Sequence, residues 1–238
     1  MKWERMAAVK YWFRNAINLV VFSAISSFAA AAAGEGVLID EGVLKDEGVF
    51  EDEAVSARQQ LAERLAGVGQ FTATFTQEIQ GAQGQVLERS SGHVLLLRPM
   101  FKWVVDDPYP QIIVTEGDVL KVYDPDLEQL TIRPLSDALT DTPVSLLTQE
   151  DVVLGDSFSV IRIADLQGEY FLITPRSEDS LFAEIRLRFS AQSLASLEIL
   201  DHLGQFTEIQ FEVEPRTTVL QSSDFSLEVP PGTDVIGG

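Results

Sequence analysis

The sequence contains no cysteine among its 238 residues, and this absence excludes several kinds of site. Without a thiol there is no disulfide framework, no thiolate metal centre and no cysteine nucleophile. The same absence excludes a lipid attached through an N-terminal cysteine. Stability must therefore come from a packed core, and a hydrophobic content of 45% is enough to build one.

Basic residues are also few, since 17 Lys and Arg stand against 37 Asp and Glu, for a formal net charge of -20. Phosphate binding needs clustered cations, and these are scattered, so a nucleic-acid partner is not expected. The two histidines, His93 and His202, have no GxSxG or HExxH motif beside them. Asp124, Asp126 and Glu128 are interpreted as an exposed acidic turn. We therefore expect no catalytic residue, no metal site and no cofactor.

Long hydrophobic runs are absent as well. The apolar run at residues 16–28 is about 13 residues long, whereas a membrane-spanning helix needs about 20. It follows a basic N-terminus and precedes five consecutive alanines at residues 29–33, a pattern typical of an export signal. We predict a signal peptide over residues 1–33, cleaved near Ala33, and export to a bacterial periplasm. A retained membrane anchor is the alternative.

A six-residue acidic unit occurs three times in residues 35–52. Each copy contains a glycine and like charges, and the segment has neither helical periodicity nor strand alternation. We predict a disordered acidic linker over residues 34–53, followed by one folded domain over residues 54–238. A calcium site is disfavoured because the spacing matches no calcium-binding loop.

Helical periodicity begins at Ala54. Ala57, Leu61 and Leu65 share one stripe with it, and Gly67 stands where a helix commonly ends. The stripe is narrow and contains few large side chains. It predicts a helix over residues 54–66 that docks loosely on the rest of the domain.

After this helix, apolar residues recur at every second position. Phe71, Ala73 and Phe75 share one face of a predicted strand, whereas threonines occupy the other. Similar segments follow at residues 92–97, 101–105, 111–115, 119–123, 127–133, 158–164, 170–174, 182–189, 194–200, 206–213 and 225–229. Short connections between so many strands predict one antiparallel sheet that curves strongly or forms an open barrel.

One interruption of the strand pattern predicts a second helix. Thr142 is a capping residue and Pro143 suits the first helical position, so a short helix should begin there, with a further turn at residues 135–139. A strongly curved sheet has room for both helices on its concave face. This arrangement predicts a container with a cover.

A lone arginine, Arg98, lies between two apolar strand segments, residues 94–97 and 101–105, and is followed by Pro99. The guanidinium always keeps its charge and offers five donors, so it can bond several backbone carbonyls of a closing lid. The alternative is an arginine that ends a strand and points into water.

Several of these motifs, taken in order, resemble one known family. They are residues 71–77, 92–103, 117–120, 123–125, 128–129 and 142–143, and the ending at residues 225–232. Over residues 61–236 the chain resembles the outer-membrane lipoprotein carrier proteins, the LolA family. The acidic repeat, Leu97 and Val144 depart from the family pattern.

The resemblance implies a mainly-β fold, an unclosed antiparallel barrel with a helical lid over a hydrophobic cavity. It implies a monomeric periplasmic carrier that takes the acyl chains of triacylated lipoproteins from an ATP-driven inner-membrane transporter to an outer-membrane acceptor. Arg98 matches the arginine that holds the lid of the empty carrier. The implied cavity and lid residues are Leu61, Leu65, Phe71, Phe75, Phe101, Trp103, Val144 and Leu147.

Two other binding functions are compatible with such a fold. An acceptor lipoprotein shares it, but would need the N-terminal cysteine that this chain lacks. A periplasmic regulator that senses lipid or lipoprotein is the remaining alternative, and it would be distinguished by co-purification with a membrane-embedded signalling protein.

Overall fold

A computed structural model describes residues 47–135, 145–148, 158–166, 168–177, 180–191, 193–213 and 219–237. The predicted signal peptide, the first two copies of the acidic repeat, and the predicted helix start at Thr142, Pro143 and Val144 lie outside the described residues. No described helix is both long enough and apolar enough to cross a bilayer.

Two helices and twelve strands are present in the described residues. The helices are α1 (Glu47–Gly67) and α2 (Ser145–Thr148). The first six strands are β1 (Gln70–Gln80), β2 (Val86–Leu97), β3 (Met100–Asp107), β4 (Gln111–Glu116), β5 (Val119–Asp124) and β6 (Gln129–Pro134). The others are β7 (Phe158–Asp165), β8 (Gly168–Pro175), β9 (Glu184–Ser190), β10 (Ser193–Leu200), β11 (Phe206–Val213) and β12 (Asp234–Ile236), with a 3-10 turn at Ser222–Phe225 before β12.

All twelve strands belong to one sheet, in the order β12-β6-β5-β4-β3-β2-β1-β11-β10-β9-β8-β7. Neighbouring strands are antiparallel, except that β12 and β6 are parallel. The edge strands are β7 and β12, and within the described ranges no ladder joins them. The prediction of a mainly-β, unclosed antiparallel sheet is therefore confirmed.

Alternation along the strands produces one apolar face. In β1, Phe71, Ala73 and Phe75 are buried, whereas Thr74 and Thr76 are exposed. Because successive side chains of a strand point to opposite faces, the buried set forms the inner face of the curved sheet. Side chains from α1 and α2 join this face in a single buried apolar cluster.

Gly92 allows the close packing of β2 against β3. A Cβ atom at this position would lie 1.9 Å from the carbonyl oxygen of Val104 and 3.0 Å from the ring of Phe75. The first distance is too short for any side chain, and the second would require the ring of Phe75 to shift. The glycine therefore leaves room for Phe75, whose ring stacks on Trp103 with centroids 3.9 Å apart.

Helix α1 begins at Glu47 rather than at Ala54, so the predicted start of the helix is too late. The third copy of the acidic repeat is helical. Its sequence explains this, because glutamate has good helix propensity and acidic residues near a helix N-terminus interact favourably with the helix dipole. These effects outweigh the single glycine at position 48.

The C-terminal segment also differs from its prediction. Residues 225–229, predicted as a strand, contain the end of the 3-10 turn and extended chain that is not part of the sheet. Phe225 is buried, and Lys102 Nζ of β3 donates to the carbonyl oxygens of Asp224 and Ser226, each at 3.1 Å. Extended chain lying on a sheet alternates buried and exposed residues just as a strand does, which explains the error.

The β5–β6 turn corrects one further interpretation. Asp124 is buried, whereas Asp126 and Glu128 are exposed as predicted. The backbone N–H of Leu127 donates to Asp124 Oδ1 at 3.2 Å. Burial raises the pKa of Asp124, although this hydrogen bond acts in the opposite direction. Asp124 is thus a structural residue of the turn, and β6 begins at Gln129 rather than at Leu127.

Candidate functional site

Helix α1 covers the inner face of the sheet with one stripe of side chains. Leu61 and Leu65 are completely buried, and Ala57 is buried one turn earlier. Their spacing of four residues places them on the same side of the helix. The helix ends at Gly67, where Val68 N–H donates to the carbonyl oxygen of Leu65 at 3.0 Å. Leu61 and Leu65, the predicted lid residues of α1, therefore lie in the apolar cluster on the inner face of the sheet.

Leu147 of α2 is also buried in the same apolar cluster. It belongs to a short helical segment that connects in sequence to β7. We refer to α1 and α2 together as the lid. Val144, the remaining predicted lid residue, lies outside the described residues.

Aromatic rings from neighbouring strands line the sheet beneath the lid. Phe101 and Trp103 of β3 have ring centroids 6.2 Å apart, and Phe71 of β1 meets Phe211 of β11 edge to face at 5.9 Å. Phe71, Phe75, Phe101 and Trp103 are all buried. The structure thus brings the predicted cavity residues together on one face.

Arg98 joins the two lid helices to the sheet. It follows β2, and its Nε donates to the carbonyl oxygen of Leu147 and its Nη2 to that of Leu65, both at 2.6 Å. Its backbone N–H donates to Gly69 at 3.0 Å. We call these two side-chain bonds the Arg98 latch. The alternative of an arginine directed into water is therefore wrong.

The Arg98 latch bonds carbonyl groups in the last turns of the two helices, and the carbonyl of Leu65 also accepts the N–H of Val68. Leu65 and Leu147 lie in the last turns of α1 and α2, where carbonyls have no partner within the helix. A cation at this end also interacts favourably with the helix dipole. Partial burial lowers the pKa of Arg98, but a guanidinium remains charged in proteins. Charge-assisted bonds thus connect both helices to the segment between β2 and β3.

Closure fills the space that the resemblance implies as a cavity. Leu61, Leu65 and Leu147 belong to the same buried apolar cluster as the aromatic residues of the sheet. A large apolar ligand can reach these rings only if the lid moves away. The aromatic rings thus form an apolar surface that the two helices cover. The described residues contain no group of three or more His, Asp or Glu that could hold a metal ion.

One polar cluster under the lid is missed by sequence reasoning. Glu169, at the start of β8, is only 8% exposed and forms ion pairs with Arg64 of α1 and Arg162 of β7. Burial alone would raise the pKa of this carboxyl. The hydrogen bond from Arg162 Nε, at 2.7 Å, and the charge of Arg64 outweigh burial and hold the pKa below its usual value. Nothing local in the sequence signals this cluster.

Comparison with known proteins identifies the family of this chain. The family model described as "Outer membrane lipoprotein carrier protein LolA" matches residues 66–228. Two curated relatives, each called outer-membrane lipoprotein carrier protein, come from Chromohalobacter salexigens and Azotobacter vinelandii. They are 38% and 35% identical over 179 residues, which is 75% of this chain and 85% and 86% of theirs.

Among solved structures, a LolA superfamily protein from Nitrosomonas europaea covers 72% of this chain and 98% of its own, with 13% identity and a TM-score of 0.43. This likeness is too distant to add to the assignment. The family match spans well over half of the chain, and relatives above 30% identity cover three quarters of it. The chain therefore belongs to the LolA family of lipoprotein carriers.

Proposed function

We propose that this protein is a periplasmic carrier that shields the acyl chains of lipoproteins beneath its lid. The observation that carries the proposal is the Arg98 latch, which joins Leu65 and Leu147 to the sheet directly above an aromatic-lined face. The fold provides the apolar surface, and the latch provides a means of controlling access to it.

The cargo is a triacylated lipoprotein received from an ATP-driven inner-membrane transporter and delivered to an outer-membrane acceptor. The names of the curated relatives support lipoprotein cargo. The carrier acts as a monomer after removal of a signal peptide near Ala33. It performs no catalytic step, since delivery needs only reversible binding.

Energetics explain why such a carrier needs a latch. Burying one CH₂ group is worth about 0.8 kcal/mol, so three chains of roughly 16 carbons represent on the order of 35 to 40 kcal/mol if fully buried. Noncovalent affinity saturates near 20 kcal/mol. Burial must therefore be partial or opposed by another cost. Loading breaks the bonds of Arg98 to the lid, and this cost keeps the cargo releasable.

The test is mass spectrometry of the intact protein purified from its native periplasm. A bound triacylated polypeptide and an N-terminus near Gly34 are expected. Protein that consistently lacks lipoprotein, and that co-purifies with a membrane-embedded signalling protein, would replace this proposal with the regulatory alternative. An N-terminus at Met1 would contradict removal of the signal peptide.

A further inference from the structure

The C-terminal turn of α1 is attached to the sheet on two sides. On one side Arg98 holds the carbonyl of Leu65. On the other, the side chain of the preceding residue, Arg64, reaches the opposite part of the sheet. It pairs with Glu169 of β8, and its Nη1 donates to the carbonyl oxygen of Ala191, between β9 and β10, at 2.9 Å. Two consecutive residues thus connect α1 to separate parts of the sheet.

Glu169 belongs to the sheet, so its backbone stays in place whether or not α1 moves. It lies in β8 between β7 and β9, opposite Ala164 and Phe189. Its carboxylate is buried, and a buried charge is tolerated only when it is paired. Arg64 and Arg162 supply that pairing from two different elements.

The two arginines have different roles because only one of them is on the lid. If α1 lifts, Arg64 separates from Glu169, whereas Arg162 remains beside it on the adjacent strand β7. The carboxylate is therefore never left unpaired, which limits the cost of opening. The Arg64–Glu169 pair lines a cleft of about 340 Å³, which Gln60 and Glu63 also border. Arg162 keeps Glu169 ready to bind Arg64 again when the lid closes.

We propose that the Arg64–Glu169 pair is a second latch of the lid, acting independently of Arg98, and that Glu169 is a positioning residue for the loading and release cycle. The inference rests on the proposed function in one respect, namely that the lid moves. Opening then requires two separate attachments of α1 to break. Loss of either one shifts the lid toward the open state.

Lid position can be measured directly in the absence of cargo. Since the chain has no cysteine, a Gln59→Cys, Thr174→Cys variant carries spin labels only at an exposed site of α1 and an exposed site of β8. Electron paramagnetic resonance then reports the distance between helix and sheet. Binding of the apolar dye N-phenyl-1-naphthylamine by the label-free protein gives an independent measure of access to the inner face.

Glu169→Gln and Arg64→Gln are each expected to raise the open fraction and the dye binding roughly three- to thirty-fold. Arg186→Gln is the matched control, because Arg186 pairs with Glu184 and Glu198 on the sheet without touching the lid. It should leave both readouts unchanged. Combining Arg64→Gln with Arg98→Leu should nearly multiply the two fold-changes in the ratio of open to closed protein, because the free energies of independent attachments add.

The proposal is overturned if both Glu169→Gln and Arg64→Gln match the unmodified protein in distance and in dye binding. It is also overturned if only Glu169→Gln has an effect, since that would be a defect of β8 alone. Should Glu169→Gln fail to fold, Arg64→Gln decides by itself. Arg98→Leu separates the two proposals. If only this variant opens the lid, the second latch is excluded and the carrier function stands. If no variant opens the lid, both proposals are excluded.

Discussion

Arg98 Nε and the carbonyl oxygen of Leu147 are 2.6 Å apart, although 49 positions separate the two residues in the chain. This bond ties α2 to the turn between β2 and β3. The same guanidinium also bonds Leu65 of α1, so one side chain fixes both helices over the apolar face. Leu65 and Leu147 are themselves buried in the apolar cluster, so polar and apolar contacts together attach the two helices to the sheet.

Replacing Arg98 with Leu should favour the open, loaded state. The change removes two charge-assisted hydrogen bonds, each worth about 1.5 kcal/mol or more, so the open fraction should rise at least tenfold. Transfer of lipoprotein from the variant to the acceptor should slow, as measured in a two-component transfer assay. Arg98→Lys keeps the charge but cannot bond both carbonyls in the same geometry, so its transfer rate should lie between those of Arg98→Leu and the unmodified protein. Unchanged transfer by Arg98→Leu would exclude a role in gating.

Replacing Phe101 with Glu should weaken loading. Phe101 is buried beside Trp103 on the inner face, so the new carboxylate would lie next to the acyl chains. The change should also reduce stability by several kcal/mol, so loading is compared under conditions where circular dichroism shows the variant to be folded. Phe101→Leu, which stays apolar, is the control and should load nearly normally. Undiminished loading of a folded Phe101→Glu variant would contradict a lipid-contacting position.

Glu169 should make the stability of the protein sensitive to acid. Its pKa in the folded protein lies below the usual value of 4.5, because Arg162 and Arg64 stabilise the carboxylate. Glu63 borders the same cleft and is the nearby like charge. An acid with a lowered folded pKa contributes stability that is complete above its unfolded pKa and is lost as the pH falls through the folded value. Glu169→Gln should therefore be less stable than the unmodified protein at pH 7, by about 1 to 3 kcal/mol.

Urea unfolding from pH 7 down to pH 3 measures this effect. The difference between the unmodified protein and Glu169→Gln should persist to about pH 5 and then shrink. A difference that stays constant across the whole range would show that the ion pairs of Glu169 add nothing to folded-state stability.

Replacing Gly92 with Ala should destabilise the junction of β2 and β3. The added methyl group would meet the backbone oxygen of Val104 at 1.9 Å, a clash that only strand separation can relieve. A loss of about 3 kcal/mol or more is expected in thermal unfolding. Gly67→Ala is the matched control, since a Cβ there has no neighbour within 4 Å, and should be nearly neutral. Equal melting temperatures for the two variants would rule out the steric role of Gly92.

Most of the strands were predictable because their signal is local. Alternation of the kind seen at Phe71, Ala73 and Phe75 depends only on neighbours two residues apart, and it places an apolar face wherever the chain is extended. Alternation also predicts a strand at residues 225–229, and this prediction is wrong. Extended chain that lies on a sheet alternates buried and exposed residues without joining the sheet. The start of α1 is hard to predict because residues 47–53 contain a glycine and several like charges, which conceal the helix propensity of the glutamates.

The amino-acid sequence alone determined the fold class and the absence of thiol chemistry. It also distinguished Arg98 as a lone cation between two apolar strands. Only the tertiary structure decided which groups Arg98 bonds, because Leu65 and Leu147 offer backbone carbonyls that no side-chain pattern reveals. It alone placed Arg64 beside Glu169. Ion pairs between distant segments depend on how strands and helix are arranged in space, whereas the periodicity that specifies each element acts over only a few residues.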